Sequence, residues 1–223
     1  MLSQAWAIFR KDLRLELRTK EVLPAMLVFG LLVLVILNFA FELLREETRR
    51  LAPGILWVAF TFAGILGLNR SFALEKENHC LEGMLLAPLE PGCIYLGKWL
   101  SSTVFMLIAE AFLLSAFVVL FDLNLQAVLI RLLVVILLGT SGFCAVGTLL
   151  SAVAVNTKMR EVMLPILLFP VVVPVLIAAV ESCAVLFQGG ETAEYYRGLR
   201  ILIGCNLIYV TVSYLTFGYV LEE

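Results

Sequence analysis

The chain reads as an all-α polytopic membrane protein with six transmembrane helices and an N-terminal amphipathic interfacial helix. Three observations carry that reading. Of 223 residues, 62% are hydrophobic and 15% charged, against about 25% charged in an ordinary soluble domain. The mean hydropathy is +1.02, more apolar surface than a soluble chain of this size can hide from water. The apolar residues also fall in six continuous, non-alternating runs, which fits helices and excludes a β-barrel. The same composition excludes disorder and a disulfide scaffold. A net charge of −2, with no basic face, excludes nucleic acid as a partner.

Residues 1–21 come first. Leu2, Trp6, Phe9, Leu13 and Leu17 share one helical face, with Arg10, Lys11, Arg14 and Arg18 beside and opposite it. Such a helix lies in the interface plane of a lipid bilayer, its Trp at headgroup depth and its Arg near lipid phosphates. It also serves as a positively charged anchor for the span that follows.

The first span, 22–44, has a charge-free core at 22–41. As a helix that core covers about 30 Å, the thickness of the hydrocarbon layer. It is too long for a signal-peptide core and has no A-x-A-like cleavage site, so it is expected to be retained. Five more spans follow at 51–69, 99–121, 130–155, 162–181 and 201–221. They fill most of the chain, so 1–223 is expected to be one membrane domain. Counting Lys and Arg by connecting segment gives ten on the side of the N terminus and six on the other. That asymmetry predicts both termini in the cytoplasm.

The polar segment 70–98 is the longest between spans. Residues 72–80 are good helix formers, and Leu74, Leu81 and Leu85 are spaced for one face, with Glu75, Glu77 and Glu82 beside it. Pro88 and the Pro91-Gly92 pair are expected to end that helix. A short acidic helix with uncovered leucines suits docking of a soluble partner; a solvated loop is the plainer alternative.

Two enzyme motifs are incomplete. Residues 92–98 (GCIYLGK) have phosphate-loop spacing, but Trp99 stands where Ser or Thr should hold magnesium, and no strand precedes them. Lys98 is then read as a marker of the membrane interface. Gly139, Thr140, Ser141 and Gly142 resemble a serine-protease motif without a base, since the single histidine is His79. Ser141, Ala145, Gly147 and Ser151 instead form a small-residue packing face. Catalytic residues and metal ligands are therefore not expected. The five cysteines have no paired spacing; Cys183 and Cys205 are read as unconnected, a disulfide being the alternative.

Glu110 interrupts the third span, where a carboxylate must face protein or a cavity. It is read either as lining a path or as a hydrogen-bonding group between helices. Pro165, Pro170 and Pro174 crowd the fifth span, and each removes a backbone donor.

Glu75, Lys76 and Glu77, then Leu81-Glu82, Leu85-Leu86-Ala87 and Pro88, follow the pattern of the first cytoplasmic loop of ABC-exporter permeases. The chain resembles that superfamily over its whole length. Within it, Phe9 to Leu13, Glu16 to Arg18, the run 81–88 and the proline-rich fifth span are similar to the haem-exporter permease subunits of c-type cytochrome maturation. The resemblance implies an inner-membrane permease that is not itself an enzyme. It implies a second copy of the chain, two copies of a cytoplasmic ABC ATPase, a haem-handling membrane subunit, a small accessory subunit and, indirectly, a periplasmic haem chaperone. No cofactor is expected on this chain; haem and ATP would be handled by the assembled complex. Glu75, Glu77, Leu81, Glu82, Leu85, Leu86 and Pro88 would couple to the ATPase. The work performed would be haem export or release of the haem-loaded chaperone. A permease of another ABC exporter, or a membrane scaffold, is the alternative.

Overall fold

The computed structural model describes residues 2–41, 45–77, 90–123, 125–155, 157 and 159–221, without the side chains of 2, 45–49, 77, 160 and 221. These residues form seven helices and, among those described, no strand: α1 (Leu2–Thr19), α2 (Val22–Phe41), α3 (Arg45–Glu77), α4 (Pro91–Leu120), α5 (Leu129–Val155), α6 (Arg160–Gln188) and α7 (Thr192–Leu221). The last six are each long and apolar enough to cross a membrane. The expected six spans and surface helix are therefore present.

Their limits differ from the sequence expectation in an informative way. The segment read as 70–98 is helical at both ends. α3 continues unbroken to Glu77, and α4 already starts at Pro91. At 33 residues α3 is about 50 Å long, so it outruns the hydrocarbon layer. Pro91 does not end a helix but opens one. It sits in the first turn, after an extended Glu90, where its missing N–H costs nothing. Gly92 is likewise helical rather than part of a turn. A Cβ there would lie 2.4 Å from the ring of Tyr214 on α7, so the missing side chain lets two helices approach. The residues 78–89, with His79, Cys80, Leu81, Glu82, Leu85, Leu86 and Pro88, lie outside those described.

α5 is largely enclosed by its neighbours. A Cβ on Gly139 would fall 2.2 Å from the Trp57 ring, and one on Gly147 2.4 Å from Leu68, both on α3. On its α4 side, the Ala145 carbonyl accepts from Tyr95 Oη at 3.1 Å and the Ser141 carbonyl from Trp99 Nε1 at 3.1 Å. Small residues thus admit large aromatic partners, as the packing reading of this stretch requires. α6 continues through all three of its prolines and stops at Gly189, which adopts φ +67°, a conformation glycine takes without a Cβ penalty. Cys183 and Cys205 are both free thiols, so the disulfide alternative is set aside. Cys183 Sγ accepts from Trp57 Nε1 at 3.3 Å.

Candidate functional site

α1 presents three faces rather than two. Ala5, Ile8, Asp12 and Glu16 recur at helical spacing and are buried against the bundle, chiefly on α4. The apolar stripe predicted for lipid contact points away from the protein: Trp6 is 57% and Leu17 68% exposed. Arg10, Arg14 and Arg18 form a third, exposed face. The sequence reading of an outward apolar stripe agrees with this exposure, and it missed the buried face, because two of its four residues are acids.

Those acids are matched by buried cations from other helices. Lys98 on α4 is 1% exposed. Its Nζ donates to Asp12 Oδ2 at 3.0 Å and to Glu75 Oε1, at the end of α3, at 2.7 Å. The same ammonium sits 5.3 Å from the Phe72 ring centroid, a further electrostatic contact. Lys11 reaches Glu75 Oε1 as well, and lies 3.1 Å from Asp12 Oδ1. Ser101 Oγ donates to Asp12 Oδ2 at 2.8 Å. Two carboxylates and two ammonium groups from three helices thus close a neutral cluster. Burial alone would lower the Lys11 pKa, but Glu75 and Asp12 beside it outweigh that and hold it above the ordinary lysine value. Burial alone would raise the Asp12 pKa; Lys98 and Lys11, with the hydrogen bonds from Ser101 and Lys98, hold it below the ordinary carboxylate value.

Lys98, read from its place before Trp99 as an interface marker, is thus buried in an ion cluster rather than free at the surface. Its position opening a span was read by sequence alone, and sequence alone shows no partner for it. Glu75 and Leu74, expected on an uncovered docking face, are turned inward: Glu75 is 1% and Leu74 9% exposed. The next residue faces elsewhere. Lys76 Nζ donates to the Val155 carbonyl at 2.7 Å, a cation on the C-terminal end of α5, where the helix dipole favours it.

Glu16 does different work one turn on. Its carboxylate accepts from the backbone N–H of Val22 at 3.1 Å and of Leu23 at 2.8 Å. It satisfies two of the open donors at the start of α2. The chain reverses there through Lys20 at φ +54°. α1 is so tied to α2 by a cap and to α3 and α4 by ion pairs.

Glu110 lies apart from this cluster. It is 2% exposed, and its oxygens lie 2.8 and 2.7 Å from Thr140 Oγ1 on α5. The hydroxyl donates to this carboxyl group; among the described residues no cation pairs with it.

The fold and site together define a multi-pass α-helical membrane protein, with a surface helix fastened to one end of its bundle. Comparison with known proteins narrows that class. The family whose model matches is CcmB protein, over residues 3–222. The chain is 32% identical over 216 residues to Heme exporter protein B of Rhodobacter capsulatus, covering 95% of this chain and 94% of the relative. It is 32% identical over 206 residues to Heme exporter protein B of Paracoccus denitrificans, 90% of each. To that of Bradyrhizobium diazoefficiens it is 29% identical over 212 residues, covering 93% and 92%. The chain belongs to the CcmB protein family.

Proposed function

We propose that this chain is the permease subunit of an ABC transporter of c-type cytochrome biogenesis, coupling ATP hydrolysis in a separate cytoplasmic subunit to export of haem. The substrate follows from the names of the relatives. The coupling rests on one observation: the buried cluster joins the two helices that flank the segment 78–89. Glu75 precedes that segment and Lys98 follows it, and their charged groups meet at 2.7 Å with Asp12 and Lys11 of α1 around them. A force on the segment therefore reaches the ends of α3 and α4 and the surface helix as one unit, because none can shift without separating buried opposite charges. In this reading the α1 end of the bundle is cytoplasmic, in agreement with the excess of Lys and Arg there, and the membrane is the bacterial inner membrane.

The partners in this reading are two ATPase copies, a second permease copy, a haem-handling membrane subunit and a small accessory subunit. Leu81, Leu85 and Leu86, with Glu77, Glu82 and Pro88, are the residues that the ATPase contacts in this reading. Glu75 joins them to the bundle from the inside. Release of a haem-loaded periplasmic chaperone is an alternative use of the same coupling.

Burial of one leucine contributes about 1.5–3 kcal/mol. Leu81→Asp and Leu85→Asp are thus expected to weaken ATPase docking by about tenfold or more, with the six spans still inserted. The measurement is co-purification of the ATPase with tagged permease, alongside c-type cytochrome yield. Retention of the ATPase and of normal yield by both variants would overturn the coupling assignment.

A further inference from the structure

A cleft of about 370 Å³ opens on the side of the bundle between the starts of α2 and α6 and the later turns of α3. Its inner wall is apolar, with Phe29, Phe62 and Leu66, and its rim is charged, with Glu21, Arg70 and Glu161. We propose that this cleft binds a zwitterionic aminophospholipid of the surrounding bilayer, with the headgroup on the charged rim and an acyl chain along the phenylalanines.

Depth supports a lipid. Glu21 immediately precedes α2, and Glu161 is in the first turn of α6. Both are where membrane-crossing helices leave the hydrocarbon. Phe29 and Phe62 each lie eight residues from a rim charge, Glu21 and Arg70 respectively, and so about 12 Å deeper along their helices. Their rings are 6.2 Å apart, and Phe62 is 6.5 Å from Phe169 on α6. Phe29, Phe62 and Phe169 are all part-exposed on the flank of the bundle. They make a continuous apolar track from the rim toward the membrane centre.

Charge selects the headgroup. Among the described residues the rim carries one guanidinium and two carboxylates, with Arg70 Nη2 at 3.2 Å from Glu21 Oε2. A phosphate suits Arg70, and a primary ammonium suits Glu161. An anionic lipid without an amine would face two carboxylates and one cation. A porphyrin dicarboxylate would meet the same repulsion.

The inference does not depend on the ATPase coupling, and its test needs no partner. The full chain is purified in mild detergent and offered phosphatidylethanolamine or phosphatidylglycerol, with retention read by native mass spectrometry. Phosphatidylethanolamine is expected to be retained about tenfold better, the worth of one charge-assisted contact. Glu161→Gln should abolish that preference, and Arg70→Gln should weaken retention of both lipids. Leu66→Trp, which fills the cleft, should displace lipid while leaving the rim intact. Thermal unfolding in the same detergent establishes that each variant is folded. Glu161 is exposed, so its variant keeps the test open should Leu66→Trp misfold. Equal retention of the two lipids by the wild type would overturn the proposal. So would an unchanged preference in Glu161→Gln, or displacement of the lipid by haem or by dimerisation through this face.

Discussion

Carboxylates are buried in two regions of this chain, and the two are built in opposite ways. At the α1 end, Asp12 and Glu75 are matched by Lys98 and Lys11 and further bonded by Ser101. Twelve residues along α4 from Lys98, Glu110 is just as buried but is met by a single threonine hydroxyl. The first arrangement joins three helices that arrive from distant parts of the sequence. The second joins only α4 and α5. The comparison teaches that burial of an acid does not by itself mark a mechanism. What distinguishes the two is the number of elements that would be released if the acid lost its partners.

The largest effect is expected from Lys98→Met. It strands Asp12 and Glu75 with one part-exposed lysine, and breaking a buried ion pair this way costs about 3–5 kcal/mol. Adding Glu75→Leu removes one of the stranded charges and should recover more than half of that loss. Chemical unfolding in mixed micelles measures both. A double variant as unstable as Lys98→Met alone would show that charge balance is not what holds the cluster.

Glu110→Leu should cost less, about 0.5–1.5 kcal/mol, because the freed Thr140 hydroxyl can turn to a carbonyl of its own helix. Glu110→Gln should stay within about 0.5 kcal/mol of the wild type and retain cytochrome maturation. A Glu110→Leu variant as damaged as Lys98→Met would erase the contrast. Full assembly of both Glu110 variants with loss of maturation in both would assign the carboxylate to a path.

Glu16→Ala removes the cap of α2 without touching the ion pairs, and should cost about 1 kcal/mol. Loss of α1 protection in hydrogen exchange, with α3 and α4 unchanged, is the expected pattern. Spread of that loss to α4 would mean that cap and cluster act as one unit.

The smallest effect is expected from pH near neutrality. Asp12 titrates below its ordinary value of 3.8 in the folded chain, so its contribution is present above that value and lost as pH falls through the lower, folded one. Lys11 titrates above 10.5, so its contribution is present below that value and lost as pH rises through the folded one. The Asp12 and Lys11 contributions should therefore be insensitive to pH from about 5 to 9. Asp12→Asn should remove the Asp12 part of the acid loss and reduce, without abolishing, the alkaline one, since Glu75 still faces Lys11. A midpoint for the Asp12 loss above 3.8 would contradict the ion pairing.

The six spans were legible because a charge-free run of about 20 residues is a local property that no partner needs to complete. The exposed apolar stripe of α1 was legible from the same kind of local pattern. The ion cluster was not, since Asp12, Glu75 and Lys98 each look like ordinary surface charges until three segments meet. One trace did exist. Asp12 and Glu16 stand four apart, in register with Ala5 and Ile8, on a helix otherwise rich in arginine. The extent of α3 was hidden by its composition: Arg70 and Lys76 look like the start of a loop, yet both lie within the helix. Glu75 was identified as a coupling residue from the family pattern, but nothing in that pattern told whether it faced a partner or the bundle.

The order of synthesis gives the cluster a further consequence. Asp12 leaves the ribosome 86 residues before Lys98, which at ordinary elongation rates is about 4–17 s. Throughout that interval Asp12, and later Glu75, have only Lys11 as a nearby countercharge among the groups that finally surround them. The surface helix is therefore only partly fastened when the first two spans insert. Until the third arrives carrying Lys98, it is held by the Glu16 cap on α2 and by Lys11 alone, so a chain stalled before that point displays an incompletely matched pair of acids to whatever surveys nascent membrane proteins.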